Sequence, residues 1–147
     1  MIICSNCKHQ EILGALFCSE CGAQLDVAAG WITNAFDPPS LLHRDLEQMG
    51  IAQRVDVAVF SSEVGKRKPH RAIFDRALEA LGVAPESALF VGDRLYEDVR
   101  GAGEVGMKTV QAVWFRADEH ADGAEPDFVA FTQMDVLNVA RRLLGER

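Results

Sequence analysis

The chain has 147 residues, 48% of them hydrophobic and 25% charged, a balance that fits one ordinary globular domain or one domain with a small appendage. Its formal net charge of −7 argues against a nucleic-acid partner held on a broad basic face. No apolar run approaches the ~20 residues of a membrane span, and the opening MIICSNCK lacks the build of a secretory signal, so a cytoplasmic protein with no membrane partner is expected.

All four cysteines, Cys4, Cys7, Cys18 and Cys21, fall within the first 21 residues, in the spacing C-x2-C-x10-C-x2-C. Two paired CxxC motifs with no other cysteine favour zinc over a redox dithiol or a disulfide pair. Each pair can supply two corners of a tetrahedron from one tight turn. Gly22 follows the second pair where the chain must turn sharply, and Lys8 stands at the matching place after the first. Four thiolates leave no open coordination position, so such a Zn²⁺ is structural. The stretch CSNCKHQEILGALFCSECGAQL resembles the short zinc ribbons at the ends of many bacterial proteins, which sets a boundary of 1–25 for this unit. Lys8 against Glu11 and Glu20 leaves these residues at −1, with Phe17 the only aromatic, a poor nucleic-acid reader.

From Gly30 onward strands and helices alternate. WITNAF (31–36) reads as a short buried strand. DPPSLLHRDLEQMG reads as a helix with Asp37 as its cap, prolines in its first turn and Gly50 at its stop. VDVAVFSS (55–62) is a second strand. PHRAIFDRALEALG (69–82) is a strongly periodic helix, with Ile73, Phe74, Ala77, Leu78 and Leu81 on one face. SALFVGD (87–93) is a third strand, YEDVRGAGEVG a short helix with a Gly-rich end, and TVQAVWF (109–115) a fourth strand. The acidic stretch RADEHADGAEPD is expected to be an exposed, mobile loop, and the chain closes with DFVAF and a helix ending near Leu144. Alternation of this kind predicts an α/β fold, a parallel sheet covered by helices on both faces.

The motifs ITN (32–34), GKRKP (65–69) and VGDRLYEDVRGA (91–102), in that order, resemble three of the four signature motifs of the haloacid dehalogenase-like (HAD) hydrolases. The resemblance extends over about residues 30–144 and includes AGEVGMKTVQAVWF. It implies a three-layer, Rossmann-like domain over 30–147 and a Mg²⁺-dependent phosphatase class of chemistry on a small phosphorylated substrate. By that resemblance Thr33 hydrogen-bonds a phosphoryl oxygen, with Asn34 beside it, and Lys68 sets a cation against the phosphate. Asp93 binds Mg²⁺ through a hard oxygen, and Asp98 orients the lysine or a metal-bound water. All five lie beyond the carboxyl ends of strands, where open α/β sheets bind ligands.

The family's first motif, an apolar strand ending in D-x-D-G-T, is missing: no D-x-D occurs anywhere in the chain. Asp26 follows the ribbon and Asp37 follows the second motif, so neither replaces the nucleophile and general acid that the motif supplies. The cap region that normally follows it is missing too. In the family that strand lies between those corresponding to WITNAF and SALFV. The two neighbours are therefore expected either to pair directly or to receive another segment. Three functions follow: a HAD-like chain without turnover, a zinc-ribbon interaction module with a phosphate-sensing scaffold, or a chain whose sheet is completed by a protein partner or by self-association.

Overall fold

The computed structural model of the chain describes residues 2–3, 6–11, 20–22, 28–114, 116 and 124–143. At the amino end, β1 (Ile2–Ile3) pairs antiparallel with β2 (Gln10–Glu11), Ile2 opposite Glu11 and Ile3 opposite Gln10. The turn between them passes through Lys8 at φ 62°, and Gly22 after Cys21 has φ 68°. The two positions after the CxxC pairs thus share one left-handed turn geometry, although only the second carries the residue that adopts it without steric cost. Cys4 and Cys18 lie outside the described residues, so the expected unit at 1–25 is seen in part.

The α/β part follows in the expected order. β3 (Gly30–Thr33), α1 (Pro39–Gln48), β4 (Val57–Phe60), the short α2 (Ser61–Val64) and α3 (Arg71–Leu81) form its first half. β5 (Leu89–Gly92), a wide helical turn over Leu95–Arg100, α4 (Gly101–Val105), β6 (Lys108–Ala112), β7 (Phe128–Ala130) and α5 (Gln133–Leu143) form its second. The second strand is shorter than VDVAVFSS suggested, because Ser61 already opens α2. Asp37 is not the cap of α1. The helix starts at Pro39 behind an extended Pro38 with no side-chain cap, its prolines supplying the fixed first turn instead. In the acidic loop, 117–123 lie outside the described residues, and Ala124 is buried. Among the described residues no helix is long and apolar enough to cross a membrane.

All pairings in this part are parallel. β3 pairs with β4 in the register Ile32 to Val59, and β5-β6-β7 form a second sheet with Val91 opposite Val110 and Gln111 opposite Val129. The single sheet expected from the alternation is therefore divided. Among the described residues β3 and β5 neither pair with each other nor share a strand between them. WITNAF is accordingly not a buried strand: Trp31 is 41% exposed and Phe36 is exposed, as an unpartnered edge allows.

One helical layer holds both sheets. Ile73, Phe74, Ala77 and Leu78 of α3 are buried as their periodicity predicts, together with Val59, Ala102 and Met107. Ile32 and Val57 from the first sheet and Ala88 and Phe90 from the second pack against this one cluster. Each fully buried large side chain here contributes about 1.5–3 kcal/mol relative to exposure. Leu81, expected on the same face, is half-buried and lies next to Gly30. Helix α3 runs from the site end to the opposite end, where Leu81 meets the first residue of β3. At the other end Lys68 bonds both the Ile32 carbonyl of β3 and Asp98, which lies against Gly92 at the end of β5, so the carboxyl ends of the two strands meet there.

Candidate active site

The site grows from the end of β5. After Gly92 the chain passes Asp93 and Arg94 and enters the wide turn, in which the Val99 N–H donates to the Arg94 carbonyl at 3.1 Å, a span of five residues. Wide turns of this kind gather at functional sites. Here the turn swings Asp98 back against Gly92: a Cβ at position 92 would stand 2.4 Å from the Asp98 Cβ. Only glycine admits that approach.

Asp98 is 3% exposed and fully engaged. Its Oδ1 accepts from Lys68 Nζ at 2.5 Å and its Oδ2 from the Arg94 N–H at 3.1 Å. Lys68 Nζ also donates to the Ile32 carbonyl at 3.2 Å and lies 5.5 Å from the centre of the Phe90 ring. The lysine thus spans from β3 to β5. Its backbone is gripped from both sides by Asn34, whose Oδ1 accepts from the Lys68 N–H at 2.7 Å and whose Nδ2 donates to the Lys68 carbonyl at 3.2 Å. The Ser61 hydroxyl accepts from the Ala35 N–H and donates to the Ala35 carbonyl, both at 2.9 Å, fixing the exit of β3 to α2. Thr33 is half-buried at the end of β3, one residue beyond the carbonyl that Lys68 holds.

Asp93 differs from Asp98. It is half-buried, and among the described residues its carboxylate has no hydrogen bond or ion pair. The Arg94 guanidinium is held above its usual range by Glu97 first, at 2.8 Å, with smaller pulls from Asp93 and Asp98. Outside Lys68 an open groove of about 800 Å³ is lined by Arg67, His70, Arg71, Tyr96 and Arg100, with Glu97 and Glu104 on the same wall.

Sequence alone pointed to Thr33, Asn34, Lys68, Asp93 and Asp98, and all five lie at the carboxyl ends of β3 and β5. It did not foresee Asn34 spending both polar ends on the Lys68 backbone, nor Ser61, nor the Arg94 N–H. These contacts join backbone groups of distant segments and leave no local pattern, apart from the small Gly92 placed before two carboxylates.

A Mg²⁺ ion, which the HAD resemblance implies, is matched by Asp93 as an open hard-oxygen donor, whereas Asp98 is buried and each of its oxygens already accepts a hydrogen bond. Among the described residues no group of three or more His, Cys, Asp or Glu gathers as a metal cage. One carboxylate completed by water and phosphate oxygens is an ordinary Mg²⁺ arrangement, so Asp93 fits as its protein donor.

Parallel strands whose carboxyl ends carry a hydroxyl, a buried lysine–carboxylate pair and an open carboxylate define an α/β protein of the kind that places ligand-contacting groups at that end. Residues 66–132 match the family model described as HAD-hydrolase-like. A glyceraldehyde 3-phosphate phosphatase from Methanopyrus kandleri is 39% identical over 101 residues, 67% of this chain and 43% of that protein. A phosphoserine phosphatase from Thermus thermophilus is 42% identical over 88 residues, 60% of this chain and 33% of its own length. The glyceraldehyde 3-phosphate phosphatase of Pyrococcus furiosus is 53% identical over 58 residues, 40% of this chain and 23% of that protein. The chain thus spans less than half the length of each of these relatives. Among solved structures, a HAD phosphatase from Thermococcus onnurineus superposes with a TM-score of 0.64 at 28% identity, over 86% of this chain and 52% of that one. A 2-haloacid dehalogenase from Pseudomonas syringae gives 0.67 at 26% identity, over 79% and 47%. The α/β part of the chain is HAD-like in sequence and in fold.

Proposed function

We propose that the α/β part is the phosphate- and Mg²⁺-binding half of a HAD-type phosphohydrolase site, and that the chain on its own does not turn over. The Lys68–Asp98 pair beneath Gly92, with Asp93 open beside it, carries this reading. Two of the three Lys68 ammonium protons are committed to Asp98 and to the Ile32 carbonyl, leaving one for a phosphoryl oxygen. Thr33 supplies a hydroxyl donor, and Asn34 acts by holding Lys68 in place. A Mg²⁺ ion at Asp93 supplies charge neutralisation at the phosphoryl oxygens. The phosphatase names of the relatives support a small phosphate monoester as the ligand class.

Covalent phosphoryl transfer needs a carboxylate free to attack phosphorus. Asp98 is buried with each oxygen already accepting a hydrogen bond, Asp93 serves the cation, and no D-x-D is present. Purified chain with Mg²⁺ is therefore expected to bind inorganic phosphate saturably by ³¹P NMR, to lose that binding in Asp93→Asn and Lys68→Met, and to hydrolyse p-nitrophenyl phosphate negligibly. Hydrolysis that disappears in Asp93→Asn overturns the absence of turnover. Absence of phosphate binding overturns the site.

A second reading concerns the amino end: a structural Zn²⁺ held by Cys4, Cys7, Cys18 and Cys21 builds a small ribbon that docks a protein partner. Its support is that Asn6 Nδ2 donates to Cys21 Sγ at 3.4 Å, bringing the first CxxC turn beside the second. The matching φ of Lys8 and Gly22 adds to it. Metal analysis of purified protein should find one zinc per chain, lost in the Cys18→Ser/Cys21→Ser double variant. Full folding of the amino end without zinc would count against it.

A further inference from the structure

The turn that carries Lys68 has an outer side that the phosphoryl site does not use. The His70 N–H donates to the Arg67 carbonyl at 2.9 Å and Asn34 grips the Lys68 backbone, so Arg67, Lys68 and His70 ride on one fixed turn. Lys68 reaches inward to Asp98 and the Ile32 carbonyl, whereas Arg67 is exposed and lines the open groove of about 800 Å³ beside it. A volume of that size is ordinary for a small-molecule cleft. The groove walls hold four lysine or arginine side chains against two carboxylates, in a chain whose formal net charge is −7. Three of these cations are already matched: Arg71 by Asp75 at 2.8 Å, Arg100 by Glu104 at 2.7 Å, and Lys68 by Asp98. Among the described residues Arg67 faces no carboxylate. Its guanidinium lies over the exposed Phe36 ring, 4.6 Å from the centre, a contact that orients the group without neutralising it. We propose that this groove receives a second acidic group of the ligand whose phosphoryl group meets Lys68, so that the ligand class is a phosphate monoester carrying a carboxylate or a second phosphate on the same short carbon chain.

The donors fit that class. A planar guanidinium meets either a carboxylate or a phosphate through two parallel N–H bonds. His70 adds a neutral donor on the same wall: its Nδ1 accepts from the Ala72 N–H at 3.1 Å and so carries no proton, which leaves the Nε2–H to donate. The two carboxylates of the groove do not compete for Arg67, since Glu97 is held by Arg94 at 2.8 Å and Glu104 by Arg100. Arg67 and Lys68 are consecutive residues of a fixed turn, so one short molecule can span both. A neutral tail would leave the guanidinium without a partner, and an ammonium tail would be repelled by it. This inference rests on the phosphoryl-site reading and extends it from the phosphate to the rest of the ligand.

The experiment titrates the full chain by calorimetry in a constant excess of Mg²⁺. The probes are glycerol 3-phosphate, 3-phosphoglycerate, which differs from it only in a carboxylate for the hydroxymethyl group, and glycerol 1,3-bisphosphate. At least one of the two diacids is expected to bind about tenfold or more tightly than glycerol 3-phosphate, the worth of a hydrogen bond to a charged group. Which of them gains tells whether the second group is a carboxylate or a phosphate. In Arg67→Gln the ratio of affinities should fall to within about twofold of one. Lys66→Gln removes the same charge from an exposed neighbour outside the groove, and it should keep the ratio. Equal affinities in the parent chain, a ratio that survives Arg67→Gln, or an equal fall in Lys66→Gln each overturns the proposal. If glycerol 3-phosphate and inorganic phosphate bind while the diacids gain nothing, this inference alone fails. If no phosphate compound binds, the phosphoryl-site reading fails and this inference with it.

Discussion

Lys68 and Asp98 are 12% and 4% exposed in their side chains, and such a pair stabilises less by its attraction than it destabilises when one member is lost. In Lys68→Met the buried Asp98 carboxylate loses its charged donor, which should cost about 3–5 kcal/mol in urea unfolding. In the double variant Lys68→Met/Asp98→Asn the charge is gone while the side-chain oxygen still accepts from the Arg94 N–H. It should unfold at higher urea than the single variant. Additive losses would show that the two residues do not act as a unit. At this scale the sequence was informative about chemistry and silent about support. Thr33, Lys68, Asp93 and Asp98 stand out as polar groups at the ends of apolar runs. Asn34 and Ser61 act through backbone atoms 34 and 26 residues apart in the chain, and no periodicity encodes such a contact.

Among elements, the junction of β6 and β7 is held by one carboxylate. Asp127 accepts from Lys108 Nζ at 2.7 Å, and from the Thr109 N–H at 2.9 Å and hydroxyl at 3.0 Å, while its own N–H donates to the Thr109 hydroxyl at 3.1 Å. Lys108 most strongly holds the Asp127 carboxyl below its ordinary value of 3.8; burial, next in size, opposes it, and the Thr109 bonds add to the lowering. A depressed value means stability present above 3.8 and lost as pH falls through the lower, folded-state value. Asp127→Asn should therefore be less stable at neutral pH by about 1–2 kcal/mol, chiefly through weakened bonds to buried Thr109. Denaturant titrations at a series of pH values should show the gap to the parent closing below about pH 4. A gap independent of pH would assign the loss to packing. The helices and apolar strands were legible from period and composition, as the buried face of α3 shows. The wide turn at Leu95–Arg100 was not, because it forms where Asp98 reaches Gly92 and that closeness exists only in three dimensions.

For the whole molecule, the central question is what makes two sheets one folding unit. Phe74, fully buried in α3, meets Phe90 of β5 edge-to-face, ring centres 5.3 Å apart at 74°, and belongs to the cluster that also receives Ile32 and Val57. Phe74→Ala should cost about 3–5 kcal/mol. Because the cavity touches both sheets, amides of β4 and of β6 should gain exchange together. Retention of β6 protection after β4 has opened would show two independent units. The parallel α/β class could be read from strand–helix alternation alone. The split could not, since it depends on which edges find partners, and alternation reports element order without pairing.

An uncovered strand edge ordinarily recruits its own kind and drives fibre formation. On β3 the edge carbonyl of Ile32 is covered by the Lys68 ammonium, and any sheet that stacks onto that edge indiscriminately must first strip a charge of its bonds. The lysine that the buried pair holds at the carboxyl end of the strands therefore also occupies the last carbonyl along this edge, so one side chain ties the protection of β3 to the carboxylate at the end of β5.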